Sequence, residues 1–336
     1  MKSILLTLLI FAVIILIHEC GHFLTAKLCG VRVNEFSIGM GPSLLHFGKG
    51  ETRYSLRLFP IGGYVSMEGE DGESGDPRAF CNQRVWKRIL IVCAGAIMNL
   101  ILGFIIILGL TIPKDALATN TVAEFYDGAM TQSTGLQAGD KILKINGRSI
   151  WTETDIVYEL SYDEDGVVDM VVRRDGEKVN LSGVTFRKDG DSLIIDFKVK
   201  GQPATFWSTL SYSFRRTASI GRLVWISLGQ LVTGKASIND LSGPIGTAQA
   251  VGQASKAGLS TVMTLFAFIT VNVGIFNLLP VPALDGGRLV FLLFEAIFRR
   301  RIKPEYEAYV HFAGFVLVIL LVIFVSYHDI VNLIRG

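Results

Sequence analysis

The sequence predicts a mainly α membrane protein with four transmembrane helices, a β-structured segment between the first two, and a β-rich insert outside the cytoplasm. Three observations carry that expectation. Half of the 336 residues are hydrophobic and only 18% are charged, a composition too apolar for an ordinary soluble domain. Four runs, near 4–26, 89–112, 261–281 and 310–327, are long enough to cross a hydrocarbon core of about 30 Å as helix. Between the second and third lies a polar stretch of about 150 residues, room for one small domain and a connector. The formal net charge of +2 and the lack of a Lys/Arg stripe exclude a nucleic-acid partner.

The chain divides as follows: a first span over 1–30, a partly polar glycine-rich segment over 31–87, a second span over 88–112, and a folded insert over 119–200. A connector with amphipathic helices fills 203–258. A third span covers 261–288, a cytoplasmic loop or helix 289–309, and a fourth span with the C-terminus 310–336. Residues 27–88 carry nine Lys/Arg and 282–309 carry five. By the positive-inside rule both loops are cytoplasmic, so the insert and both termini face outward. Cys20, Cys29, Cys81 and Cys93 then lie at or near the cytoplasmic side, and no disulfide framework is implied. A cleavable signal is the rival reading of the first span. It needs small residues before the cut, whereas Ile17, His18 and Glu19 precede Cys20.

His18, Glu19 and His22 end that first apolar run. On a helix, residues four apart share a face, so His18 and His22 can hold one metal ion, with Glu19 beside them to take a proton from metal-bound water. The competing reading is a pair of interfacial histidines beside a solvated glutamate. It fits poorly, because a charged side chain at membrane depth costs about 2.5–3.5 kcal/mol and is usually functional. A hydrolytic zinc site wants a third protein ligand. At the end of the third span, "NLLPVPALDGGR" (277–288) has Pro280 and Pro282 to break the helix. Asp285 is thereby left in irregular backbone, which at membrane depth is tolerated only inside protein or along a wet cavity. Parity of crossings puts it on the same side as the histidines. Asp285 is thus either the third ligand or a cap for a helix starting near Arg288.

These residues resemble the site-2 protease family of intramembrane zinc metalloproteases, the RseP/RasP-type members with one PDZ domain, over nearly the whole chain. His18-Glu19-Cys20-Gly21-His22 is similar to the family's metal motif, and Asn277 through Gly286 to its NxxPxPxLDG motif. The resemblance implies a zinc metalloendopeptidase in which His18, His22 and Asp285 bind Zn2+ and Glu19 is general base and acid. Asn277 would hold the substrate backbone or the developing oxyanion. Two imidazoles and a carboxylate suit several divalent ions; the resemblance is what names zinc. Gly95 and Asn99 in "CAGAIMNLILG" are similar to a further family motif, with Ala96 where proline is usual; a helix-packing glycine is the plainer reading.

The stretch around "TRYSLRLF" alternates like a strand and is followed by a Gly62-Gly63 turn. By resemblance it is a membrane-dipping β-loop whose edge, with Gly62 and Gly63, receives an unwound substrate; a plain cytoplasmic hairpin is the alternative. In the insert, "GLQAGDKILKINGRSI" (135–150) is similar to a PDZ signature, with turns at Asn146-Gly147 and Asp175-Gly176 and a short helix at "DIVYEL". "MTQSTG" stands where a small Pro-Ala pair is usual. The PDZ domain would screen substrates by their ends, or serve only as a packing module. Residues 203–233, with Trp207, Phe214 and Trp225 among Arg215, Arg216 and Arg222, read as a helix in the outer headgroup region. "LSGPIGTAQA" resembles the family's segment after the PDZ domain.

The resemblance further implies a multi-pass protein of the bacterial inner membrane, with the lipid bilayer and single-span membrane proteins as partners. Substrates would be chains already trimmed on their outer side, such as anti-sigma factors or remnant signal peptides. The competing classes are a catalytically silent PDZ scaffold, against which Glu19 argues, and a metal-binding transporter, which would carry internal repeats.

Overall fold

The computed structural model describes residues 2–48, 50–70, 72–163, 165–190, 192–234 and 243–335. In chain order the elements are α1 (Lys2–Leu28), β1 (Val33–Phe47), β2 (Arg53–Met67), α2 (Val85–Thr111), β3 (Ala116–Phe125), α3 (Met130–Ser133), β4 (Lys141–Ile145), β5 (Arg148–Ser149) and α4 (Glu153–Ser161). There follow β6 (Val167–Arg174), β7 (Glu177–Thr185), β8 (Arg187–Asp189), β9 (Ser192–Ile194), β10 (Phe197–Pro203), α5 (Phe206–Val232), α6 (Pro244–Ala257), α7 (Leu259–Leu278), α8 (Asp285–Phe298) and α9 (Pro304–Arg335). Positions 235–242 of the expected connector, with the first residues of "LSGPIGTAQA", lie outside the described residues. The chain forms two compact units, one from residues 1–106 with 224–336 and one from 107–223.

In the first unit, α1, α2, α7 and α9 are long and apolar enough to cross a membrane. Helix is what such runs must form, since lipid offers no partner to a free N–H or C=O. Small residues let these helices approach. A Cβ added at Gly21 of α1 would stand 2.5 Å from the Ala94 carbonyl of α2, and one at Gly274 of α7 would stand 2.9 Å from the Ala96 carbonyl. Backbone-to-backbone packing through glycine replaces the hydrophobic drive that lipid removes. Ile10 and Ile14 of α1 bury against Val251 and Ala254 of α6 and Val262 and Ile269 of α7.

β1 and β2 form one long antiparallel ribbon, Val33 opposite Met67 and Phe47 opposite Tyr54. The ribbon doubles back, because Glu35–Ile38 pair with Arg53–Leu56 as well as with Gly63–Ser66. Gly39, Gly41 and Gly62 have positive φ at the bends, conformations open to glycine at little cost. Gly62 and Gly63 therefore do not make the turn that the alternation around "TRYSLRLF" led us to expect. They sit inside β2, where the strand crosses from one flank of Glu35–Ile38 to the other.

The third span ends at Leu278, where Pro280 and Pro282 stop the helix. Asp285 does not lie in irregular backbone: it is the first residue of α8, with Leu284 as its cap. Gly286 and Gly287 explain this early start. Cβ atoms there would strike the carbonyls of Leu279 and Val281, so only glycine lets the new helix begin against the end of the old one. α9 closes over the break, with Gly314 against Pro282. The Ala283 N–H donates to His311 Nδ1 (3.1 Å), and Ala283 itself is left-handed at φ 75°.

The second unit is an antiparallel sheet of order β10-β3-β4-β6-β7, with β5 on β4. Asn146-Gly147 and Asp175-Gly176 all have positive φ, the mirror-image turn that suits tight hairpins. Leu136, Ile142, Ile145, Val168, Val172 and Val184 are sealed in its core. α4 opens with a capping box between Thr152 and Asp155, which satisfies two of its free N–H groups. The first half of α5 packs on that helix start. The Tyr212 hydroxyl donates to Glu153 Oε1 (2.5 Å), Ser219 donates to Asp155, and Arg222 Nη2 lies 2.9 Å from Asp155 Oδ1. Burial, with the Glu153 carboxylate second, pushes Tyr212 up to about 12, so it keeps the proton it donates. The arginines at 216 and 222 thus depart from the headgroup reading. They face carboxylates at 3.8 and 2.9 Å, because the fully buried Asp155 needs a cation beside it.

Candidate metal centre and active site

α1 carries His18 and His22 one turn apart, both buried at 9% exposure. The His22 Nδ1–H donates to the Ile91 carbonyl of α2 (2.8 Å), which fixes the tautomer and leaves Nε2 with a lone pair. That Nε2 lies 3.1 Å from His18 Nε2. The start of α8 brings Asp285 Oδ2 to 3.0 Å from His18 Nε2 and 3.3 Å from His22 Nε2. Residues 263 positions apart in sequence thus present three ligand atoms to one point.

The donor set fits a divalent ion. Nitrogen and oxygen ligands at about 2.0–2.1 Å in a tetrahedron stand about 3.3 Å from one another, close to the three separations found. Asp285 Oδ2 is buried yet accepts no hydrogen bond from a described residue, so a cation rather than a proton donor is what would satisfy it. Gly95 of α2 completes the cradle: a Cβ there would strike His22 Nε2 and stand 2.8 Å from His18 Nε2. Gly95 is therefore more than a packing glycine. Ten residues separate His18 from Leu28, and ten separate Val85 from Gly95. At 1.5 Å per residue both lie about 15 Å inside the ends of these apolar helices.

Asn99, one turn beyond Gly95, reaches the far side of His18. Its carboxamide nitrogen is 3.3 Å from His18 Nδ1, while its Oδ1 is buried without a described partner. A His18 that binds metal through Nε2 carries its proton on Nδ1 and must donate there. A half-turn of the amide, indistinguishable in outline, supplies the acceptor and satisfies both orphaned atoms. Residues in this position hold a ligand's ring and tautomer. Asn99→Ala is expected to weaken zinc binding about 10–100-fold, read by competition with a chelator of known affinity, with the unfolding midpoint of the zinc-free protein unchanged.

Glu19 is half-buried and makes no hydrogen bond or ion pair with a described residue. Gly63 of β2 packs on it, an added Cβ standing 3.4 Å from Glu19 Cγ. Among the described residues the Gly63–Met67 flank of β2 pairs with β1 alone, so its other edge carries no strand, and Glu19 lies against it at Gly63. Gly62 is next to it in the same strand. Asn277, in the last turn of α7, is half-buried and its carboxamide makes no hydrogen bond to a described residue. Sequence reasoning assigned nothing to His311 or Arg288. Arg288 bridges Glu70 and Glu307, tying α8 to the ribbon's end and to α9; their charges and spacing carried no signal of these partners.

Two imidazoles one turn apart on an apolar helix, met by a carboxylate at the start of another, are a donor set that could hold a metal ion within helices long and apolar enough to cross a membrane. The model of Peptidase family M50 matches residues 6–321. Zinc metalloprotease RasP of Bacillus licheniformis is 31% identical over 99% of this chain and 100% of its own length. The regulator of sigma-W protease RasP of Bacillus subtilis is 29% identical over 99% of each, and a protein of Clostridium acetobutylicum is 39% identical over 98% of this chain and 97% of its own. The chain belongs to peptidase family M50, the site-2 proteases, and is a zinc metalloprotease.

Proposed function

We propose that the protein hydrolyses peptide bonds within the transmembrane segments of single-span membrane proteins. The observation that carries this reading is the convergence of His18, His22 and Asp285 beside Glu19 about 15 Å inside apolar helices. His18, His22 and Asp285 would hold Zn2+, which would supply polarisation of the scissile carbonyl and a more acidic water. Glu19 takes the proton from the attacking water and returns it to the leaving amine. A helical substrate hides its carbonyls, so it must unwind first. The open edge of Gly63–Met67 offers the extended backbone a partner strand, with Gly62 giving close approach. The Asn277 carboxamide, with both its groups unspent, donates to the substrate carbonyl as charge develops.

The charge of the loops supports a cytoplasmic placement of the metal end in a bacterial inner membrane, with the 119–200 unit outside. That unit, read as one PDZ domain, admits substrates by their trimmed outer ends. Anti-sigma factors and remnant signal peptides are the substrate classes this arrangement suits.

The test is metal removal. Purified protein in micelles, incubated with a fluorescent single-span substrate, is expected to cleave it at a bond that mass spectrometry maps inside the apolar segment. Dialysis against 1,10-phenanthroline should abolish cleavage, and zinc should restore it. Cleavage confined to residues outside the span, or unaffected by the chelator, would refute the proposal.

A further inference from the structure

The second unit holds a cleft that the proteolytic reading does not use. It is a cavity of about 180 Å³ between β3, Trp151-Thr152 and α5, lined by Thr119, Ser208 and Ser211, with Lys141 and Arg215 offering charge. An adjoining trough of about 350 Å³ shares Lys141, Trp151 and Arg215 and continues over Leu143, Ile150, Phe214 and Ala218. Polar and cationic at one end and apolar at the other, the pair matches an amphiphile.

Charge makes the case sharper. Five cations of this unit face carboxylates: Arg148 has Glu159, Arg174 has Asp140, Lys198 has Glu124, Arg216 has Glu153 and Arg222 has Asp155; of those that do not, Lys141 and Arg215 are the two that line the cleft. Lys141 and Arg215 have neither an ion pair nor a side-chain hydrogen bond to a described residue. Two cations without a described ion pair, lining one cavity, attract an anion, and a guanidinium with an ammonium suits a phosphate.

The chain leaves α2 at Thr111 and enters the cleft at Ala118, seven residues that span at most about 25 Å. Phe206, Trp207 and Phe214 project from α5 at 72%, 73% and 66% exposure, aromatic groups of the kind that settle at headgroup level. We propose that this cleft seats the phosphate of an anionic phospholipid between Lys141 and Arg215, with the lipid's apolar part along Leu143 and Phe214.

The test uses the full chain in micelles with Trp86→Phe, Trp207→Phe and Trp225→Phe, which leaves Trp151 of the cleft as the sole tryptophan. Brominated phosphatidylglycerol is expected to quench Trp151 at a mole fraction at least tenfold lower than brominated phosphatidylcholine does. Lys141→Gln with Arg215→Gln should erase that preference, while Arg187→Gln on the β8 hairpin should keep it. Equal quenching by the two lipids, or a preference that survives the double substitution, would overturn the proposal. So would full relief of quenching by millimolar inorganic phosphate, which marks a free-phosphate site, or by a short peptide with a free carboxylate, which marks a chain-end site. Because neither side chain makes an ion pair or hydrogen bond to a described residue, circular dichroism of the double variant should match the parent.

Discussion

Glu19→Gln is expected to lower the rate of substrate cleavage by about 10²–10⁴-fold, the range a positioned general base contributes, while zinc content stays that of the parent protein. The reason lies in what Glu19 does not do. It makes no hydrogen bond or ion pair with a described residue, so its carboxylate holds nothing in place. Gln keeps the shape against Gly63 and removes only the basicity. Single-turnover cleavage of a fluorescent single-span substrate, with metal analysis on the same sample, separates the two quantities. If the variant cleaves at the parental rate, Glu19 is not the base and the proposed chemistry fails. If it loses zinc as well as activity, the residue is a ligand or a support.

Gly95→Ala should act on the other half of the site. A methyl group at this position strikes His22 Nε2 and comes within 2.7 and 2.8 Å of His18 Cε1 and Nε2. Neither ring can yield easily, since His22 is tied to Ile91 through Nδ1 and His18 faces Asn99. Overpacking of this kind costs about 1–3 kcal/mol, and a displacement of about 1 Å at a reacting centre costs about 10²-fold in rate. We therefore expect at least a hundredfold loss of cleavage, together with weakened zinc binding. Gly109→Ala, on the same helix with open space around it, is the matched control and should leave both unchanged. Normal zinc binding by Gly95→Ala would mean that the active protein holds α2 farther from the histidines than this structure does.

How much of this was legible beforehand follows from the range of each interaction. The four helices long and apolar enough to cross a membrane were readable because runs of apolar residues in lipid have one way to satisfy their backbone. His18, Glu19 and His22 were readable because their relation is set by the pitch of a single helix. The turns at Asn146-Gly147 and Asp175-Gly176 are equally local. The long-range steps were not. Asp285 reads from sequence as a residue in a proline-broken loop, and only the packing of Gly286 and Gly287 on the end of α7 makes it the opening of α8. Gly62-Gly63 reads as a turn, and only the doubling of the ribbon turns it into a crossing strand beside Glu19. Arg216 and Arg222 read as headgroup ligands until Glu153 and Asp155 are seen opposite them.

By itself, then, the sequence determined that two imidazoles and a carboxylate share one helical turn within an apolar run, since i, i+1 and i+4 spacing is a property of the chain alone. The tertiary structure decided which distant oxygen meets them and why there is space between. It brought α8 and α2 to the pair, with Gly95 leaving the gap and Asn99 at the rear of His18. Those choices depend on backbones touching where side chains are missing, and a missing side chain leaves no periodic trace in a sequence.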